Sequence, residues 1–359
     1  MVHFLLALAV FFAILGYKNK YVQRIAFVVL FAFAALRYMY GNDYRNYFLW
    51  FRHIHNGGES QFRTEILYNA LNRFLPSFPV LIALTSLLLI WVVYRLITKH
   101  LPTQLAWIGV FIFVVNPVLF LMNLSAIRQS IAACIFIIAV NFAYRKKYVW
   151  YLLLVIAAAL FHKTAVLLLP LCLIINAKPV KPWVCWAIFG GTLTMLLFSQ
   201  PLLNAVLWVA ERFGDKNYIY WLGQDMQNSL RATLLTSVFF FYTLYNLPKL
   251  TGKGLVFAKL YLISPWLGVL AKEIVMLTRF QIYFEIFSVV VLPIIFMQVR
   301  SRGPVTVNRR NVLITYGDCI NKYVMPPLIV LIYLLRYYSF FTNDLWKPFF
   351  TYHTIFRLL

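Results

Sequence analysis

Five short polar constellations interrupt an otherwise apolar chain, and each carries residue types that do chemistry. The first is Arg37 followed by Gly41-Asn42-Asp43-Tyr44 and Tyr47. Gly41-Asn42 signals a turn, and Asp43 and Tyr47 then fall one helical turn apart on one face. The second holds Glu65, Tyr68 and Asn72, spaced i, i+3, i+7 and so also on one face. The third, Asn123-Leu124-Ser125-Ala126-Ile127-Arg128-Gln129, puts an arginine at the start of an apolar run. An arginine inside a span costs about 2.5–3.5 kcal/mol at the bilayer centre and less near the interface, and it usually faces a polar cavity or an anion. The fourth, Phe161-His162-Lys163-Thr164-Ala165, sets a histidine between two apolar runs, where it can act as a general base or bond a phosphate. The fifth is Lys272-Glu273, then Arg279, Tyr283 and Glu285, with Arg279 and Tyr283 one turn apart and Glu285 on a different face.

Arg37, Arg128 and Arg279 each stand at the outer end of a separate apolar run. Guanidinium forks bind phosphate oxygens bidentately and stay charged, so the three suit a diphosphate at a membrane surface. Carboxylates beside tyrosines suit sugar hydroxyls, which nominates Tyr44, Tyr47, Tyr68, Gln129, Lys163, Tyr283 and Glu285 as substrate contacts. The base candidates are His162, Glu65, Asp43 and Glu285. His162 stands first because histidine titrates near neutral pH without a large perturbation. Each feature also has a plainer reading. The tyrosines fit an interfacial aromatic belt, Arg128 a side chain reaching for head groups, His162 a packed histidine, and Glu285 a partner for an arginine on a neighbouring helix. No HExxH, GxSxG, Walker loop or DxD pair occurs, and no outer-face carboxylate cluster suits magnesium. The expectation is therefore no metal. Cys134, Cys172, Cys185 and Cys319 lack ligand spacing and read as small apolar residues.

These residues must be held by membrane helices. Of 359 residues 63% are hydrophobic and only 12% charged, against about 25% charged in soluble domains. That excludes a soluble enzyme, a disordered chain and a fibre. Helix-length apolar runs exclude a β-barrel. The expectation is an all-α polytopic integral membrane protein with about twelve spans, forming one domain over 1–359. The segments are 1–17, 21–38, 79–97, 104–122, 125–144, 148–161, 164–176, 183–200, 230–247, 255–271, 280–299 and 312–335. The sixth and seventh are short and read equally as broken or re-entrant helices. The net charge of +23 would suggest nucleic acid in a soluble protein, but here the cations cluster at helix ends, so no nucleic-acid partner is expected. Arg145-Lys146-Lys147, Lys178 to Lys181 and the stretch 300–310 then face the cytoplasm. The loops 39–78 and 201–229 and the tail 336–359 lie outside with nearly every acid.

In order and spacing these motifs resemble the EpsG-like branch of the Wzy-type polysaccharide polymerases. The resemblance rests on Arg37, Gly41-Asn42-Asp43-Tyr44 with Tyr47, Glu65 with Tyr68, Arg128-Gln129, Phe161-His162-Lys163-Thr164-Ala165, and Arg279 with Tyr283-Phe284. Asn42 replaces the usual threonine, Lys163 beside the histidine is a departure, and the outer loop is modest. The resemblance implies the lipid-dependent, GT-C-like architecture in the bacterial inner membrane. It also implies joining of undecaprenyl-diphosphate-linked oligosaccharide units at the periplasmic face. The lipid diphosphate is the leaving group, so no cofactor is implied. Membrane lipid, a chain-length regulator and a flippase of the same pathway are the implied partners. Two other readings are a flippase for the same lipid-linked unit, which would favour midplane charges and a two-fold repeat, and a membrane acyltransferase acting on surface sugars, which would favour a histidine in mid-span.

Overall fold

The computed structural model describes residues 1–60, 64–178, 181–197, 208, 230–270, 276–301 and 317–358. Lys272, Glu273, the basic stretch 302–310 and the expected outer loop 201–229, Trp208 apart, lie outside them. Contacts group the chain into two compact units, Met1–Asn176 with Tyr333–Leu359, and Ala177–Ile332.

In the first unit, α1 (Val2–Leu15) and α2 (Lys20–Ala35) form an antiparallel pair. Asn19 caps α2, its side chain accepting from the N–H groups of Tyr21 and Val22. After α2 the chain enters β1 (Arg37–Tyr38), which pairs antiparallel with β2 (His353–Thr354), Arg37 opposite Thr354. The short ladder pins the tail to the end of α2. Tyr352 reinforces it by donating to Phe33 O at 2.8 Å.

The stretch 39–78 was expected as an outer loop. It is largely helical, as α3 (Tyr44–His55) and α4 (Ile66–Phe74). Tyr44, Tyr47, Phe51 and Ile54 are the buried residues of α3, at i, i+3, i+7 and i+10, while Arg45, Asn46 and Leu49 are exposed. That is the stripe of an amphipathic helix lying on a core. It packs with Tyr68, Phe78, Leu81, Ile82, Ile127 and Ile131.

Four longer elements follow: α5 (Phe78–His100), α6 (Thr103–Val115), α8 (Ile127–Tyr144) and α9 (Tyr148–Phe161), with the short α7 (Leu121–Ser125) between α6 and α8. Ala126, at φ −90° and ψ 62°, breaks the path between α7 and α8. Ala132, Ala133, Ala139 and Ala143 on α8 are buried, and small residues let neighbouring helices approach closely; α9 packs against α8. Beyond His162 the chain makes a 3₁₀ turn (Lys163–Leu168), and Pro170 precedes the five-residue α10 (Leu171–Ile175). The seventh expected span, 164–176, is therefore a broken segment.

The second unit contains α11 (Pro182–Leu197), α12 (Leu230–Asn246), α13 (Gly252–Leu270), α14 (Met276–Glu285) and α15 (Ser288–Ser301). Asn246 and Asn321 exchange amide hydrogen bonds of 2.8 and 3.0 Å in its interior.

Among the described residues three helices are long and apolar enough to cross a membrane: Phe78–His100, Ile127–Tyr144 and Gly317–Thr342. A fourth span arises if Leu277–Glu285 and Ser288–Val299, bent by 49°, count as one. Val2–Leu15, Thr103–Val115 and Tyr148–Phe161 are apolar but shorter. The expectation of about twelve spans thus exceeds what the described helices supply. The physical reason lies at the breaks: Pro102, Pro117, His162 and Pro170 each end a helix or follow its end, cutting apolar runs into pieces. An apolar multi-pass membrane protein, almost wholly helical, stands.

Candidate active site

The site in the first unit is assembled from three helix boundaries. Glu65 is the N-cap residue of α4, Arg128 is the second residue of α8, and His162 is the C-cap of α9. His162 leaves the helix with extended backbone, φ −151° and ψ 112°. α4 packs against α9, so the carboxylate meets the imidazole.

Glu65 Oε2 pairs with the Arg128 guanidinium, and Glu65 Oε1 lies 3.2 Å from His162 Nδ1. Oε1 also accepts from the backbone N–H of Lys163 at 3.3 Å. The Glu65 side chain is only 3% exposed, against 14% for Arg128 and 13% for His162. The carboxylate is thus buried behind two groups that both reach the surface. An ionised carboxylate only accepts, so Nδ1 of a neutral imidazole must carry the proton. The basic lone pair is then on Nε2, for which the described residues offer no hydrogen-bonding partner.

Burial pushes the Glu65 carboxyl up, but the His162 hydrogen bond and the Arg128 charge more than offset it, and the group titrates below its ordinary 4.5. A native pKa below the unfolded one gives stability that is complete above about 4.5 and is lost as pH falls through the lower native value. The thermal midpoint of the purified chain is therefore expected to fall below about pH 4.5, with Glu65→Gln flattening that part of the profile. Identical acid profiles for the two chains would refute the linkage.

An aromatic wall encloses the arginine. Arg128 Nε donates to Tyr47 Oη at 3.3 Å, and its guanidinium lies 5.8 Å from the Tyr47 and Trp50 ring centres and 6.0 Å from that of Tyr68. Burial raises the Tyr47 hydroxyl above its usual titration range, although the Arg128 charge opposes this, so it stays a neutral phenol. Trp50 was not among the expected residues. Its spacing of i+3 from Tyr47 places it one turn further along α3, a signal that its lack of charge concealed.

The other expected residues divide. Tyr47 and Tyr68 join the cluster but are buried, and Gln129 is buried on α8. Asp43 enters through its backbone, its N–H donating to Ser125 Oγ at 3.0 Å. Tyr44 donates to Arg37 O at 3.3 Å and packs edge-on to Phe78, a structural placement. Lys163 is exposed beside His162. Arg279, Tyr283 and Glu285 belong to the second unit. There Arg279 is exposed, Tyr283 is buried, and Glu285 is buried and accepts from Ser264 Oγ.

Arg37 lies inside the unit. It is 1% exposed, and its guanidinium donates to Ala34 O, to Ser86 Oγ at 2.9 Å and to Leu124 O at 3.0 Å. These contacts clamp the α7–α8 break, on which the 41–43 turn also docks. Gly41 has φ +98°, and an added Cβ there would meet Ser125 Cβ at 3.3 Å. Both terminal guanidinium nitrogens of Arg37 are thus turned inward, onto two carbonyls and a serine hydroxyl. Arg37→Met is expected to lower thermal stability by about 1–3 kcal/mol, the cost of buried acceptors left unpaired. Surviving protein should bind lipid-linked donor normally. Normal stability with weakened donor binding would restore the direct role.

The EpsG family model matches residues 20–354, spanning both units and every constellation above. Neither a curated protein nor a solved structure matches the chain.

Proposed function

This chain belongs to the EpsG family, of membrane proteins in polysaccharide biosynthesis, and from that premise we propose that it polymerises lipid-linked oligosaccharides. The donor is a glycan on undecaprenyl diphosphate; the acceptor is a sugar hydroxyl of the next lipid-linked unit. The reaction takes place at the periplasmic face of the inner membrane. One observation carries the reading: a buried carboxylate bonds one nitrogen of a partly exposed histidine, next to an arginine in an aromatic wall.

In the proposed step His162 Nε2 takes the proton of the acceptor hydroxyl. The acceptor oxygen bonds to the anomeric carbon of the donor. The bond from that carbon to the diphosphate oxygen breaks, and its electron pair leaves with the diphosphate. Glu65 holds the ring in the required tautomer and stabilises the imidazolium that forms. Arg128 meets the diphosphate, where a cationic donor stabilises charge that grows as it departs. Glu65 is thus a positioning residue, and Asp43 has no part in proton transfer.

The test is the purified chain in proteoliposomes with undecaprenyl-diphosphate-linked repeat units. A ladder of polymer is expected, and it should persist in excess chelator, since the proposed chemistry needs no divalent ion. Movement of the intact unit across the bilayer without a ladder would overturn the reading in favour of a flippase.

A further inference from the structure

A second feature of the first unit lies at the far ends of the helices that carry the Glu65 site. Phe78 of α5 and Ile127 of α8 share one cluster, so the two helices start together and run the same way. At their C-terminal ends a cavity of about 250 Å³ opens between them. Along α5 the lining residues Arg95 to His100 lie about 26–33 Å from Phe78, comparable to the thickness of a bilayer core.

The rim of the cavity is basic. Arg95, Lys99 and His100 come from α5 and Arg145 from the end of α8, and no acidic side chain is in its lining. Arg95, Lys99 and Arg145 are exposed. The floor is apolar, with Leu96 and Ile137, and Trp91 and Phe142 also line it. Trp91 is 50% exposed, a large surface for an indole. Cations over an apolar floor between two candidate spans match an amphiphile with an anionic head and an acyl tail. A free phosphate could use only the rim.

We propose that this cleft binds an anionic phospholipid of the leaflet opposite the Glu65 site, its phosphodiester among Arg95, Lys99 and Arg145 and its upper acyl chain against Leu96, Ile137 and Trp91. The inference is independent of the polymerase reading, because it uses none of those residues. The bound lipid fixes the depth of α5 and α8 in the bilayer.

The experiment uses the full-length chain, purified and delipidated, offered equal phosphatidylglycerol and phosphatidylcholine and read by native mass spectrometry. Phosphatidylglycerol should be retained preferentially. Each cation near a membrane surface contributes about fivefold, so the triple Arg95→Gln, Lys99→Gln, Arg145→Gln variant should lose about a hundredfold in retention. Equal retention of the two lipids, or an undiminished preference in the triple variant, would overturn the proposal. Displacement of the lipid by millimolar inorganic phosphate would assign the cleft to a free anion instead. A second measurement does not depend on the triple variant folding: brominated phosphatidylglycerol should quench the emission component lost in Trp91→Phe, and brominated phosphatidylcholine should not. Equal quenching by both would also refute the assignment.

Discussion

A chain carrying His162→Gln should insert into the membrane at the wild-type level, bind lipid-linked donor, and make polymer at least about a hundredfold more slowly, the lower end of what a general base contributes. Glutamine keeps a hydrogen-bond donor that can reach Glu65, so packing and the buried ion pair persist. What it lacks is a site for the proton of the acceptor hydroxyl. His162→Ala should fall as far or further. The stability of the two variants separates chemistry from structure, because His162 is a cap residue with its backbone N–H bonded to Ala158 O at 2.9 Å, a bond any side chain preserves. Glu65→Gln supplies the companion result. Its amide would lose the acceptor-only character that fixes the proton on Nδ1, so turnover should drop while donor binding holds. Near-normal polymer from well-expressed His162→Gln would remove the imidazole as base.

The local half of this site was legible. Spacing alone placed Glu65, Tyr68 and Asn72 on one face, and all three are buried, from the N-cap of α4 to its last turn. A histidine between two apolar runs correctly marked a helix end. What short-range spacing cannot carry is the pairing. Glu65 meets Arg128 across 63 positions and His162 across 97, distances over which only tertiary packing decides the partner. Hence the sequence places Glu65 among the base candidates but carries no sign of its contacts with Arg128 and His162. Arg37 and Arg128 show the same limit. Both look like interfacial arginines at the end of an apolar run. One reaches carbonyls and a serine hydroxyl inside the unit, while the other, partly exposed, reaches a buried carboxylate. The difference arises from the fold of 39–78, whose amphipathic helices read as loop because aromatic and basic residues alternate there without a long apolar run. The gap between about twelve expected spans and the three or four among the described residues has a related reason. Hydropathy measures how apolar a run is, whereas a proline or an extended residue inside it decides whether it is one helix or two.

Arg128 offers the second large effect, with an outcome that depends on its partner. Arg128→Ala leaves the Glu65 carboxylate, 2% exposed as a residue, without its guanidinium. Breaking one side of a buried pair costs about 3–5 kcal/mol, so this variant should express poorly. Its inactivity alone would say nothing about diphosphate. Arg128→Lys is the informative single change. A lysine keeps the charge opposite Glu65 but cannot also donate to Tyr47 or present a planar fork to the aromatic wall. Folding should survive while turnover falls about tenfold or more, as expected from one lost charge-assisted hydrogen bond. Combining Arg128→Met with Glu65→Gln removes both charges together. Because the uncompensated carboxylate is gone, stability should recover toward wild type, yet polymer should stay absent. If the double variant recovers both stability and polymer, the pair is only a structural brace. If Arg128→Lys polymerises normally, the fork has no role at the diphosphate.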